Sequence, residues 1–481
     1  MDHNEQAGKN FAWLSVAQIG TRIFGAAFFI FLSYKLREAG VGEYSFVASF
    51  VPLWFFIVDF GGGNFLFREW THGTKTQSEI ESDFHQLFTL RLMIVSVVAI
   101  PFLAVNYFIN RQVYGSLILF YISMFLAMFV NLMDLYFQSR NLYRFMAIRQ
   151  IIEKTTAVLA GIALLLVRPS VAMVFVAILI SQVISIIYYY LATSPFAIKL
   201  AFNKTNAKKL FIKGLPFLFM AAFASLYGRI DVTMLRYMAN FAAVGYYSAA
   251  YKFIDFSYLF ASLFVASIFP VLSPMWRKNA QGADFREFFL KCFRILFSVS
   301  LVGAVALIML APLLVKIFFP ASFAPAILAL RILAIFLVPA FVSSLFNTLL
   351  IIQGREKLGL AIIIFGALFN IGLNFLLIPR FGLYGSAWAT VITELGNLYL
   401  LQRYCVWHKP AGVVAKVGLV TLANTAAFFI LKQTGLTNNV YADALILLTN
   451  IVILFTVKLL EKQDILLFTN PFVNKFKSLT S

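Results

Sequence analysis

Six charged side chains stand out within long apolar runs of this sequence: the cations Arg22, Arg229 and Lys252, and the acids Asp59, Asp255 and Glu394. An ionisable group in hydrocarbon is costly, so each marks either a ligand pathway or an internal ion pair. A guanidinium presents a planar fork that can hold two oxygens of a phosphate or carboxylate, whereas an ammonium acts as a point charge. The acids could take up a proton or a sodium ion, or serve only as counter-ions to the cations. No Ser, His and Asp set and no pair of carboxylates is spaced for bond-making chemistry. The four histidines (His3, His72, His85, His408) and two cysteines (Cys292, Cys405) have no metal-ligand or disulfide spacing. The expectation is a binding site with no catalytic residue, no metal and no cofactor.

The elements that must position these charges are set by composition. Of 481 residues, 61% are hydrophobic and 12% charged, with a mean hydropathy of +0.87. A soluble domain needs a larger polar skin, which excludes soluble enzymes, nucleic-acid binders and secreted disulfide scaffolds. The apolar runs are long and unbroken, unlike the short alternating segments of a membrane barrel. A bilayer core takes about 20 apolar residues per helix. Fourteen runs meet that length, at 11–33, 44–66, 87–109, 115–137, 147–167, 170–192, 214–236, 243–268, 294–317, 324–350, 358–378, 383–402, 411–431 and 439–459 (spans 1 to 14).

The formal charge of +19 then reads as topology. With both termini cytoplasmic, Lys and Arg are biased roughly threefold toward the inner loops. The polar, mildly acidic start (Met1 to Asn10) lacks the basic region and cleavage site of a signal peptide, so span 1 is read as retained. No P-loop is present and no loop is large enough to hold a folded catalytic domain, so function must sit between helices.

An internal repeat is legible. Ala39-Gly-Val-Gly-Glu-Tyr-Ser45 recurs as Ala242-Ala-Val-Gly-Tyr-Tyr-Ser248, and Arg91 matches Arg294 at the same offset. Gln138-Ser-Arg140 matches Gln353-Gly-Arg355 after one insertion. The chain therefore divides into a six-helix half (1–192), a basic cytoplasmic linker (193–213) expected to include an interfacial helix, a second six-helix half (214–405), and two added helices with a tail (406–481). Six is even, so the halves run parallel across the membrane, a pattern of transporters.

These residues resemble a known group. The glycine-tyrosine turns Gly42-Glu-Tyr44 and Gly245-Tyr-Tyr247, the helix ends at Gln138 and Gln353-Gly354, and Phe381-Gly-Leu-Tyr-Gly-Ser-Ala387 carry the likeness along the whole chain. It is similar to the polysaccharide-transporter branch of the multidrug/oligosaccharidyl-lipid/polysaccharide (MOP) exporter superfamily, and most to the Wzx-type O-antigen flippases. The resemblance implies an all-α, alternating-access transporter of the bacterial inner membrane, with spans 1, 2, 7 and 8 lining its cavity. The implied cargo is an undecaprenyl-pyrophosphate-linked oligosaccharide, an O-antigen or other surface-polysaccharide unit, passed to the periplasmic leaflet. A counter-ion, H+ or Na+, would drive it, and partners would be membrane lipids and other polysaccharide-assembly proteins, not nucleic acid.

On that reading Arg22, Arg229 and Lys252 receive the diphosphate or acidic sugars, and Asp59, Asp255 and Glu394 are ion-coupling groups or counter-ions. Arg229 lies one turn beyond Ser225, the repeat equivalent of Arg22, and Asp255 is displaced by two turns from the equivalent of Asp59, each on a similar face. Asp134, Glu153 and Lys154 are expected to snorkel from cytoplasmic helix ends, Arg91 and Arg294 to anchor at the interface, and Arg331 to face the outer opening. Gly61-Gly-Gly63 is expected to loosen or fray the end of span 2. The alternative reading is a cation-coupled drug exporter on the same fold, which would favour acids and aromatics in its cavity.

Overall fold

The computed structural model describes residues 3–71, 75–193, 199–280 and 282–405, with backbone alone over 3–19 and at 193. Spans 13 and 14 and the segment 406–481 lie outside the described residues. All regular structure among the described residues is helical: α1 (His3–Phe50), α2 (Pro52–Asp59), α3 (Gly62–Thr71), α4 (Gln77–Ile109), α5 (Tyr114–Ser139), α6 (Tyr143–Val167), α7 (Val171–Thr193), α8 (Lys204–Met238), α9 (Phe241–Lys278), α10 (Ala283–Phe318), α11 (Ala326–Ile352), α12 (Glu356–Phe381) and α13 (Leu383–Tyr404). Ten helical segments among them are long and apolar enough to cross a membrane. The first, Gly20–Asp59, merges spans 1 and 2, and α13 answers to span 12. Spans 1 to 12 thus all have helical counterparts, and the chain is a multi-span membrane protein.

Local chemistry explains where the helices stop. Arg37 at φ 59° interrupts α1, so spans 1 and 2 are parted by a one-residue kink rather than by a ten-residue loop. Thr76 caps α4 with a reciprocal box: its backbone N–H donates to Glu79 at 2.7 Å, and its hydroxyl oxygen accepts from the Glu79 N–H at 3.4 Å. Asn203 caps α8 by accepting from the N–H groups of Thr205 and Asn206 at 3.0 and 3.2 Å. The basic stretch from Lys204 to Lys213 forms the first turns of α8. Between α12 and α13 the chain turns on Gly382 at φ 56°, and a Cβ on Gly385 would lie 2.3 Å from the Leu377 carbonyl oxygen. Those two constraints account for both glycines of the 381–387 motif.

Span 2 is broken inside, not frayed at its end. Phe60 and Gly61 take positive φ (36° and 73°) between α2 and α3. A Cβ on Gly61 would sit 2.3 Å from the Gly214 carbonyl oxygen, so the break lets α8 pass against this backbone. The repeat-related glycines meet in the same way. A Cβ on Gly42 would lie 1.7 Å from the Phe241 carbonyl oxygen, and one on Gly245 would lie 2.1 Å from that of Glu38.

Packing gathers the helices into two compact units. The described residues of Met1–Ser248 with Phe318–Phe323 form one, and those of Ala249–Ile317 and Ala324–Ser481 form the other. In the first, α6 packs on α1 and α7, α5 on α7, and α8 on α1, α2 and α3. Its core is built largely from aromatics such as Phe46, Phe84, Phe102 and Phe175, all fully buried. In the second, α13 packs along α11 and α12. Small and polar residues make that seam: Asn370 Nδ2 donates to the Thr393 hydroxyl at 3.2 Å, and a Cβ on Gly366 would come 2.6 Å from Asn397 Oδ1. Close backbones and buried hydrogen bonds are the usual means of joining helices in lipid.

Candidate functional site

In the first unit the charges separate into a closed cluster, a second ion pair and the cations Arg22 and Arg229. The closed cluster spans α5, α6 and α7. Arg149 donates from Nε to Asp134 Oδ1 at 3.1 Å and from Nη2 to Asp134 Oδ2 at 2.9 Å, a bidentate pair. Its Nη1 pairs with Glu153 one turn on. The Tyr189 hydroxyl donates to Asp134, and Gln182 Nε2 donates to Glu153 Oε1 at 3.0 Å. This corrects two expectations. Arg149 is buried within α6. Asp134 and Glu153 do not snorkel; they are held by the same guanidinium.

A second ion pair joins α2 and α4. Arg91 is 1% exposed and bonds Asp59 through Nη2. Its Nε and Nη1 have no hydrogen-bond partner among the described residues. A Cβ on Gly63 would stand 2.5 Å from Nη2, so the glycine run also makes room for this guanidinium. Arg91 is thus a buried ion-pair partner, not an interfacial anchor, and Asp59 is its counter-ion.

Arg22 differs from all of these. It lies on α1, exposed, and makes no hydrogen bond or ion pair with a described residue. Arg229, on α8, is half-buried and interacts electrostatically with Asp231 and Tyr44. Asp231 is buried and accepts from the Tyr247 hydroxyl. Arg22 and Arg229 both belong to the first unit.

The remaining candidates belong to the second unit. Lys252 and Asp255 are half-buried on α9, and each makes an interaction within the fold. Glu394 is buried on α13, on the face that also buries Thr390, Thr393 and Asn397, and it interacts electrostatically with Tyr258. Arg331 turns inward: its Nε donates to the Ile308 carbonyl at 3.1 Å. Cys292 and Cys405 are buried free thiols. Among the described residues no group of three or more His, Cys, Asp or Glu side chains is placed to hold a metal.

Among the described residues, the arrangement offers a membrane-embedded cation without a counter-ion in one unit and a buried carboxylate in a polar seam in the other. Residues 7–276, more than half of the chain, match the family described as polysaccharide biosynthesis protein. The chain belongs to that family. An uncharacterized membrane protein of Methanocaldococcus jannaschii, MJ1068, is 29% identical over 248 residues, covering 48% of this chain; the match spans under half, 45%, of that relative's length.

Among solved structures, the lipid II flippase MurJ in an inward closed conformation superposes with a TM-score of 0.73 at 15% identity, over 95% of this chain and 99% of that one. A multidrug-resistance MATE transporter of the MOP superfamily, in an inward-facing conformation, gives 0.64 at 14% identity over 82% and 97%. The MATE multidrug transporter DinF-BH gives 0.57 at 18% identity over 84% and 95%. These likenesses establish the MOP transporter fold. The solved neighbours themselves are a lipid II flippase and multidrug transporters.

Proposed function

We propose that this protein is a flippase that moves a polyprenyl-diphosphate-linked oligosaccharide from the cytoplasmic to the outer leaflet of a bacterial inner membrane by alternating access. The observation that carries the reading is Arg22: an exposed guanidinium on a membrane-crossing helix, without a counter-ion among the described residues. A cation left so is expensive unless an anion arrives to complete it. A lipid diphosphate is such an anion, and it cannot cross the hydrocarbon unaided. Two further points support the cargo class. The family is one of polysaccharide biosynthesis, and the structure with TM-score 0.73 is a flippase for a lipid II cargo.

In this account Arg22, Arg229 and Lys252 are the cations that receive the diphosphate or acidic sugars. Ion coupling, by H+ or Na+, falls to Asp255 and Glu394, since Asp59 is engaged by Arg91. O-antigen or another surface-polysaccharide unit is the glycan, both termini are cytoplasmic, and other assembly proteins of the same membrane are the partners.

The test is mass spectrometry of inner-membrane lipids from cells with and without the gene, combined with a leaflet-accessibility assay. The expected result is accumulation of a polyprenyl-diphosphate oligosaccharide on the cytoplasmic leaflet and loss of the surface glycan. Intact surface glycan with no accumulating lipid would overturn the proposal. It would favour the drug-exporter alternative on the same fold.

A further inference from the structure

The segment that leads into α8 is pinned through its backbone and holds its apolar side chains outward. Three hydrogen bonds fix residues 199–203 on α4. The Lys199 N–H donates to His85 Nδ1 at 3.3 Å, and the Ala201 N–H donates to the Thr89 hydroxyl at 2.9 Å. Gln86 Nε2 donates to the Asn203 carbonyl at 2.7 Å. Leu200 and Phe202 alternate with these anchored residues and are 70% and 57% exposed. Large apolar side chains held outward on a fixed backbone mark a surface that meets an apolar partner.

The pattern continues onto α8. Ala207, Leu210 and Gly214 are buried, spaced three and four apart as one helix face. Lys204, Lys208, Phe211 and Ile212 are exposed and share a different face by the same spacing. Along the axis Lys208 precedes Phe211 by about 4.5 Å, and Lys204 precedes it by about 10.5 Å. Lys199, Lys209 and Lys213 add to the charge, and no acid occurs anywhere in 199–213. None of these lysines makes an ion pair with a described residue. The acids in the first turns of α4 are engaged: Glu79 by Thr76, Glu81 by Gln77 Nε2 at 2.7 Å, and Asp83 by Lys75.

The bias of lysine toward one side of a membrane explains the sign of this charge. It does not explain Leu200 and Phe202 held outward among the lysines. Cations followed by apolar side chains, on a helix entering a bilayer, suit a phosphate head group with acyl chains beneath it. A free phosphate would meet the lysines and leave the apolar side chains unused. We infer that residues 199–213 form a docking surface for an anionic phospholipid of the leaflet from which α8 starts. The lipid anchors the connection between the two sequence halves to that leaflet, apart from the cargo cations.

The experiment uses full-length protein purified in detergent, with native mass spectrometry of bound dioleoyl phosphatidylglycerol and dioleoyl phosphatidylcholine. Wild type is expected to prefer phosphatidylglycerol by about tenfold or more, and less so as salt is raised. Lys204→Gln with Lys208→Gln should abolish the preference. Arg277→Gln with Lys278→Gln, the same loss of charge at the exposed end of α9, should keep it. Leu200→Ser with Phe202→Ser should weaken phosphatidylglycerol binding with every lysine in place. No preference in wild type, or equal loss from the two charge variants, overturns the surface. Inorganic phosphate that competes as well as phosphatidylglycerol overturns the lipid assignment. Farnesyl diphosphate that displaces phosphatidylglycerol at a tenth of its concentration overturns the phospholipid as occupant, and the flippase reading survives that failure.

Discussion

Glu153 and Lys154 are consecutive in sequence, yet they belong to two regions of opposite character. On one side of α6, Arg149, Asp134, Glu153, Tyr189 and Gln182 bond one another across three helices. On the other side, Lys154 lies against Gly25 of α1, the helix that also carries Arg22, which makes no ion pair with a described residue. The closed cluster satisfies its own charges and so holds helices together. Arg22 has no counter-ion among the described residues. Intramembrane charge therefore has two uses here, and the partners of each residue separate them better than its depth in the membrane.

That contrast can be broken by substitution. The largest effect on stability is expected from Arg149→Gln, which strands Asp134 and Glu153 without their shared cation. Breaking a buried pair costs about 3–5 kcal/mol, so the variant should melt far below wild type or fail to purify as a monodisperse protein. Asp59→Asn leaves the Arg91 guanidinium buried without its charge partner. Its effect should be smaller, because the Asp59 side chain is 37% exposed and water can share the load. Tyr189→Phe removes one donor to Asp134 and should cost about 1–2 kcal/mol, read as a modest shift of the thermal midpoint. Arg22→Gln is expected to leave the midpoint unchanged, since it removes no ion pair with a described residue, yet to abolish transport. An Arg22→Gln protein that melts like Arg149→Gln would erase the distinction between the two regions.

Much of this fold can be read along the chain, because helices in lipid must be long, apolar and internally hydrogen-bonded. The turn at Arg168-Pro169 lies between α6 and α7, and the 381–387 motif opens α13. The exposed cation at Arg22 is also legible, since one Arg among apolar residues is conspicuous. What cannot be read is pairing across helices. Asp134 and Tyr189 are 55 residues apart, and nothing periodic joins them to Arg149. The glycines at 61, 63 and 25 signal local looseness. Their actual neighbours (the α8 backbone, the Arg91 guanidinium and the Lys154 ammonium) are products of tertiary packing. Lys154 escapes the sequence for the same reason: its spacing from a helix end says nothing about which helix lies beside it.

The most direct test is transport of a fluorescent polyprenyl-diphosphate-linked disaccharide in proteoliposomes, comparing wild type with an Arg22→Gln protein shown to be folded by its melting curve. The account predicts that wild type moves the lipid between leaflets and that Arg22→Gln does not. Equal transport by the two proteins would contradict the claim that the open cation on α1 receives the cargo.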